Sequence, residues 1–329
     1  MKTGNISRSI LTMAVAAGSV QNVNAQVPGQ KSSPEELVGA LHSAFGNNHS
    51  RAVHAKGIIL EGEFIPDKKA AGLTKAFHLQ KQHSKLTVRF SDFTGIPTIP
   101  DNIGAANPRG MAIKFQMPDG RTTDIISHSF NGFPTSNSDD FRQLLLAIAT
   151  SGPGAIAPTA LDSFLAEHPV AKTFLTTQKT PASYGAISYF GVNAFKFTNS
   201  KGISKFIRYQ FIPEDGEEIL NEKQITEAGP DYLAKEIRER VMLHHIRFKM
   251  YAEIAEEGDK IEDPSIAWPG TRKKILLGVL VITNIASNTT EQDKALSFSP
   301  NNIPEGIETA DPMLNFRSRA YPISVKERQ

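Results

Sequence analysis

Leu86-Thr87-Val88-Arg89-Phe90-Ser91 alternates apolar and polar side chains without a break. Successive residues of a strand point to opposite faces, so this stretch predicts a β-strand. Leu86, Val88 and Phe90 lie on its covered face, and Arg89 and Ser91 share the other. The reading extends in both directions. Ile58-Ile59-Leu60 with Phe64, Met111 to Phe115, Tyr189 to Thr198, Lys205 to Ile212, Ile246 to Ile254 and Ile275 to Ile285 are further strand candidates. Asn199-Ser200-Lys201-Gly202, between two of them, reads as a hairpin turn. Ile246, Phe248, Met250 and Ile254 alternate with Arg247, Lys249 and Glu253, the pattern of a sheet with one covered face.

Helical signals interrupt the strands. Ser33-Pro34-Glu35-Glu36 combines a good N-cap, a proline suited to the first helical position and two acids suited to the first turn. Leu37, Leu41 and Phe45 then recur every fourth residue. Asp139 to Thr150 and Pro158 to His168 also read as helices, as does Pro230 to Leu243 with Leu233, Ile237 and Val241 on one face. A last helix is expected from Asp311-Pro312 to about Tyr321. Together these elements predict an α+β fold: a large antiparallel sheet, closed into a β-barrel, with helices around it or inserted.

Composition narrows the function. With a formal net charge of +2 the chain carries no basic footprint for nucleic acid. No apolar run reaches the ~18 residues of a membrane-spanning helix. There is no cysteine, which excludes disulfides, thiolate catalysis, iron–sulfur clusters and cysteine-ligated haem. The N-terminus reads as a secretory signal. Lys2 and Arg8 precede the short apolar run from Ile10 to Val20, and Val23-Asn24-Ala25 offers a cleavage site before Gln26. A buried N-terminal helix is the other reading of the same residues. Residues 1–25 are thus expected to be removed on export to a periplasm or the outside, with 26–33 a flexible leader and 34–329 the functional domain.

Taken singly, the residues that could carry chemistry say little. None of the nine histidines sits in a metal signature. His244 and His245 adjoin a predicted strand and would point to opposite faces. There is no Gly-rich phosphate loop and no G-x-S-x-G elbow. By itself His54 reads as a structural histidine, Tyr321 as a core tyrosine near the chain end and Phe141 as core packing.

Order changes that reading. Ser50-Arg51-Ala52-Val53-His54-Ala55-Lys56-Gly57 closely resembles the distal active-site segment of catalases. Val88-Arg89-Phe90-Ser91 resembles the strand that follows it in that family, at a similar spacing. Asn107-Pro108-Arg109-Gly110 through Phe115 resembles the next segment, where the family usually has Asp at the position of Asn107. Gly191 to Phe195 through Pro213, and Asp263-Pro264 through Trp268-Pro269, follow in the same order. Arg317-Ser318-Arg319-Ala320-Tyr321 carries the R-x-x-x-Y spacing of the proximal helix. The resemblance covers roughly residues 34–329.

That resemblance implies a catalase-type barrel around haem b, with Tyr321 as the iron ligand. A phenol ordinarily titrates near ~10, and a guanidinium four residues earlier on a helix, together with ferric iron, favours the phenolate. It implies that His54 moves a proton between the two peroxide oxygens as a general acid–base, oriented by Ser91. Arg51, Arg89 and Arg328 would bind the haem propionates, and Phe141 would pack near the ring. The implied activity is reduction of hydrogen peroxide or organic hydroperoxides with an unidentified electron donor. Two alternatives share the fold: an isomerase of fatty-acid hydroperoxides and a non-enzymatic haem carrier. A carrier needs Tyr321 and the arginines but has no use for His54 with Ser91.

Two departures qualify the implication. Large catalases carry a distal asparagine in a G-N-N-T-P-like segment. The matching stretch here is Ser127-His128-Ser129-Phe130-Asn131-Gly132-Phe133. The alignment puts Ser129 at that position, with His128 just before it and Asn131 as the substitute if the loop shifts. The chain also stops eight residues after Tyr321, without the family's further helical region. It resembles the minimal catalase-related peroxidases, and the shorter Ser129 predicts weak catalase turnover beside peroxidase turnover.

Overall fold

The computed structural model of the protein describes residues 32–287 and 289–328. The expected signal segment, 1–25, and residues 26–31 of the expected leader lie outside the described residues.

Nine strands follow in chain order: β1 (Gly57–Pro66), β2 (Ser84–Ser91), β3 (Gly110–Gln116), β4 (Thr122–His128), β5 (Tyr189–Thr198), β6 (Ser204–Pro213), β7 (Ile246–Ile254), β8 (Lys274–Ile285) and β9 (Ile307–Thr309). They pair antiparallel in the order β4-β3-β2-β1-β8-β7-β6-β5-β9. A pairing of β4 with β5, through His128 and Phe190, closes the first eight strands into a barrel. Closure removes the free edges of a long sheet. Period-2 alternation fills the inside: Leu60, Phe64, Leu86, Val88, Phe90, Ile113, Phe115, Tyr189, Phe211 and Phe248 are all buried in one cluster. β4 and β9 were not anticipated. Thr122 to His128 mixes Asp124 and Ser127 into its apolar residues, and β9 has only three residues.

The expected turn at Asn199 forms. Gly202 has φ +78°, which suits glycine, and the Asn199 side chain accepts the N–H groups of Lys201 and Ile203 at 3.0 Å each.

The helices are α1 (Pro34–Phe45), α2 (Ser138–Thr150), α3 (Ala160–Glu167), α4 (Pro169–Thr176), α5 (Glu222–Glu227), α6 (Tyr232–Leu243), α7 (Thr289–Ala295) and α8 (Pro312–Glu327). α1 opens on a capping box. Ser33 Oγ accepts the Glu36 N–H at 3.1 Å, and the Glu36 carboxylate accepts the Ser33 N–H at 2.6 Å. α3 starts two residues later than expected, because Thr159 caps it and Pro158 lies outside the helix. α8 outruns expectation in the other direction. Pro322 reads as a stop, yet the helix continues through it to Glu327.

A second core lies outside the barrel. Leu37, Val38 and Leu41 of α1 pack with Leu145 of α2 and Ala320 of α8. This helical layer and the ends of β2, β3 and β4 enclose a deep cleft.

Candidate active site

The cleft holds about 1370 Å³ of empty space, its mouth included. Arg51, His54, Arg89, Ser91, His128, Phe141, Arg317, Tyr321 and Arg328 all line it. Nine residues singled out in the sequence therefore meet in one place, from segments separated by up to 277 positions.

His54 sits just before β1 with φ +58°, in the left-handed region that non-glycine residues seldom adopt. Bonds on both sides hold it there. Its N–H donates to Phe93 O at 2.9 Å, and its carbonyl accepts from Arg89 Nη1 at 2.8 Å. Arg89 Nη2 reaches Ala55 O at 3.0 Å. Arg89 thus clamps the strained turn from β2, and Gly57 leaves it room: a Cβ there would lie 2.6 Å from the guanidinium carbon. The conformation turns the His54 ring to Ser91, whose Oγ lies 3.0 Å from Nδ1. Phe93 stands edge-on to the ring at 5.7 Å. The ring is partly accessible from the cleft, but the dense protein around it, and then the charge of Arg89, push its pKa down to about 3. His54 is therefore neutral near pH 7, ready to accept a proton.

Tyr321 and Arg317 lie one turn apart on α8, as their spacing requires. Arg317 Nη2 donates to the Tyr321 phenolic oxygen at 2.7 Å, and its Nη1 donates to Asn193 Oδ1 at 2.8 Å. Asn193 in turn donates to Asp311, the N-cap of α8, at 2.6 Å. This chain from β5 fixes the guanidinium on the phenol.

The three other arginines converge on one segment. Asp293 of α7 accepts from Arg89 Nε at 2.5 Å and Nη2 at 3.1 Å, and pairs with Arg51 Nη1 at 2.9 Å. Leu296 O accepts from Arg51 Nη2 at 2.7 Å and from Arg328 at 2.8 Å. Burial works against the Asp293 carboxylate, but the hydrogen bond and charge of Arg89, with Arg51 next, hold its pKa below the usual range. Burial also lowers Arg51 and Arg328. Such a cluster calls for carboxylates: Asp293 supplies one, and two propionates would supply more.

The polar set suits haem. A phenol oxygen carrying a guanidinium is a ligand type known for haem iron, three arginines gather at one side, and the walls between are apolar, from Leu37 and Val38 to Phe133, Phe141 and Phe174. Among the described residues no His, Asp and Glu cluster suits a bare metal ion.

Comparison with known proteins settles the relationship. The family model for catalase matches residues 46–329. The chain belongs to the catalase family. It is 33% identical to the catalase-related peroxidase of Mycolicibacterium paratuberculosis over 90% of this chain and 94% of that one. Identity to the catalase-related peroxidase of Synechococcus elongatus is 30%, over 90% of this chain and 88% of that one. Catalase-2 of Bacillus subtilis is 25% identical, and there the match spans 42% of the relative. Among solved structures a fungal catalase superposes with a TM-score of 0.76 at 22% identity, covering 85% of this chain and 59% of that one. Catalase A from Saccharomyces cerevisiae gives 0.75 at 20% identity, covering 85% and 61%. The chain thus spans about two fifths to three fifths of those large catalases and nearly all of the catalase-related peroxidases.

Against this family frame one sequence expectation is corrected. Ser129 does not line the cleft. β4 ends at His128, which pairs with Gly110, and Ser129 turns to Arg109: its Oγ accepts the Arg109 N–H at 2.9 Å and its own N–H donates to Arg109 O at 2.8 Å. His128, one position earlier, occupies the wall, and Asn131 does not reach it. Four contributors escaped the sequence. Gly110 and Asn193 stood inside the family-like segments with no role attached. Phe174 lies in a helix without a marked signal, and Asp293 lies in a polar stretch that looks like surface.

Proposed function

We propose that the chain is a haem b peroxidase that reduces hydrogen peroxide or organic hydroperoxides with electrons from an external donor. The observation that carries this reading is the meeting of the His54–Ser91 pair and the Arg317–Tyr321 pair in one cleft. Its family membership and its near-full-length match to catalase-related peroxidases support the same reading.

Bound haem supplies the redox-active iron at which the O–O bond breaks. Tyr321 would hold that iron through its phenol oxygen, and Arg317 places a positive charge against this atom. Arg51, Arg89 and Arg328 would hold the propionates, sharing the cluster with Asp293. His54, neutral near pH 7, takes the proton from the bound hydroperoxide at Nε2 and returns it to the departing oxygen, so that water or an alcohol leaves. Ser91 Oγ both accepts and donates, so it follows Nδ1 through this cycle. Phe93, Phe133, Phe141 and Phe174 keep the surroundings apolar. A haem carrier needs none of this distal apparatus.

His54→Ala should keep haem but slow the peroxide-cleaving step by roughly 10²–10⁴-fold in stopped flow. A rate near wild type removes His54 from the reaction. Peroxidation of an added aromatic donor should outpace oxygen evolution, measured on one preparation. Residues 1–25 are proposed to direct export, with a mature N-terminus at Gln26; N-terminal sequencing of protein from the native cell tests this.

A further inference from the structure

A buried charged cluster adjoins the distal pair without lining the cleft. Asp92 follows Ser91, the last residue of β2, and Asp92, Asp101 and Arg109 are shut off from solvent. Asp92 Oδ1 accepts from Arg109 Nη1 and from the Tyr184 phenol, the latter at 2.8 Å. Its other oxygen is buried and has no hydrogen-bond partner among the described residues. Asp101 pairs with Lys56 at 2.5 Å and accepts the Leu233 N–H at 2.8 Å. Lys56 also pairs with Asp231 at 2.8 Å, and the exposed Asp231 and the partly exposed Tyr232 bring the cluster to the surface.

Three carboxylates, Asp92, Asp101 and Asp231, thus face two cations, Lys56 and Arg109. One negative charge is left over, and two of the carboxylates are close enough to compete for a proton. Burial, and then the charge of Asp92, raise the Asp101 carboxyl to about 6. Near pH 7 the pair is ionised and has room for one proton.

Tyr184 holds the nearest proton. Its ring stacks on Phe90 with centres 5.5 Å apart and planes 10° apart, and its hydroxyl reaches Asp92. It therefore touches the residues on both sides of Ser91. Burial, and then the charge of Asp92, push its pKa well above the ordinary phenol value, so at rest it keeps its proton. Of the six tyrosines, Tyr189 and Tyr232 donate to backbone carbonyls, and Tyr321 accepts from Arg317. Among the described hydrogen bonds, Tyr184 alone gives a phenol proton to a carboxylate. A phenol that loses an electron becomes a strong acid, and a buried site opposes a new charge. Electron and proton must then leave together, and a carboxylate at hydrogen-bond distance takes the proton.

We propose that Tyr184 is a redox relay, passing one electron to haem that a hydroperoxide has oxidised and its phenolic proton to Asp92, after which an aromatic one-electron donor at the surface restores it. The Tyr184 O–H bond breaks and an O–H bond forms on the carboxylate; the donor then supplies the electron, and the proton returns from Asp92. The relay rests on the peroxidase reading and gives the donor's electron a route: the donor need not enter the cleft.

The test is electron paramagnetic resonance of the haem-loaded full chain, mixed with cumene hydroperoxide and frozen at once. Wild type should show a protein radical whose spectrum narrows when the chain is made with ring-deuterated tyrosine. Tyr184→Phe should lose most of that signal. Tyr209→Phe, at an equally buried tyrosine away from these carboxylates, should keep it. Phenol added before freezing should quench the wild-type signal. Tyr184→Leu takes the place of phenylalanine if that variant does not load haem. A wild-type signal that is absent, that does not narrow or that phenol does not quench overturns the proposal. So does a signal that persists without Tyr184, or one lost equally in Tyr209→Phe. A wild-type chain that takes up no haem, or whose haem spectrum the hydroperoxide leaves unchanged, defeats the peroxidase reading and the relay with it; oxidised haem without a tyrosine radical defeats the relay alone.

Discussion

Gly110 leaves His54 its place: a Cβ at Gly110 would stand 2.7 Å from His54 Nδ1 and 2.6 Å from Ser91 Oγ. Non-bonded heavy atoms ordinarily sit ~3.5–4.0 Å apart, so one of the two side chains would have to leave. Gly110→Ala is therefore expected to break the His54–Ser91 bond while keeping the barrel register of β3. The peroxide-cleaving step should slow by roughly tenfold or more, part of the general acid–base contribution, with haem content unchanged. Stopped-flow rates beside haem content on the same sample check this; an unchanged rate means that the Ser91 bond does not orient His54.

The buried histidines make a prediction about acid. His78 is fully buried in the barrel core against Phe115, and neither ring nitrogen has a partner among the described residues. Burial pushes its pKa from the ordinary 6.5 to about 3, and His54 and His128 fall to about 3 as well. Between these values the unfolded chain binds protons that the folded chain refuses, so stability is full above about 6.5 and declines as pH falls toward about 3. A fully shifted group contributes up to ~1.4 kcal/mol per pH unit across that window. His78→Leu should flatten the decline and, by removing unpaired polar atoms, stabilise the chain near pH 5. Urea midpoints from pH 4 to 7 provide the measurement; a slope identical to wild type would show that His78 does not stay neutral in the fold.

The carboxylate of Asp293 balances Arg51 and Arg89 where otherwise only Leu296 O, the Asp293 carbonyl and the carbonyls of residues 54 and 55 receive them. Asp293→Asn keeps the shape and removes the charge. About a quarter of the Asp293 side chain is exposed, so the cost should fall below the roughly 3–5 kcal/mol of breaking a fully buried pair. The loss should be larger in the haem-free chain than in the loaded one, because propionates can replace the missing charge. Thermal unfolding of both forms decides it. Equal losses would mean that the propionates do not reach these arginines.

Most of the barrel was legible because strand alternation is a short-range signal. Leu86 to Ser91 and Ile246 to Ile254 declare their covered faces by themselves. The closing strand β4 did not, since Asp124 and Ser127 are buried polar residues satisfied by distant partners: Asp124 accepts from Lys114 and Ser127 donates to Met111 O. The site was legible only where order along the chain identified it. Arg317 and Tyr321 meet because one helix spaces them, whereas Asp293 reaches Arg89 across 204 positions and no local pattern announces it. The choice of Ser129 over His128 turned on one residue of register. Alignment by type cannot resolve a single step at the end of a strand, but the pairing of His128 with Gly110 does.

Tyr321→Phe separates holding haem from holding the fold. The phenol oxygen has one contact among the described hydrogen bonds, from Arg317 Nη2 at 2.7 Å, and Arg317 is held independently by Asn193 at 2.8 Å. Removing the oxygen therefore leaves the guanidinium anchored, and the ring still fills its place beside it, with the guanidinium carbon 5.6 Å from its centre. The stability of the haem-free chain should change by no more than about 1 kcal/mol, the net worth of one hydrogen bond. Haem retention should collapse, because phenylalanine offers iron no lone pair. Asn193→Ala should do something else: Arg317 loses its anchor, and haem is kept but held less firmly. Haem content after gel filtration and urea unfolding of the haem-free variants read the two effects apart. Full haem content with an unchanged spectrum in Tyr321→Phe would take the iron ligand away from Tyr321, whatever the family resemblance implies.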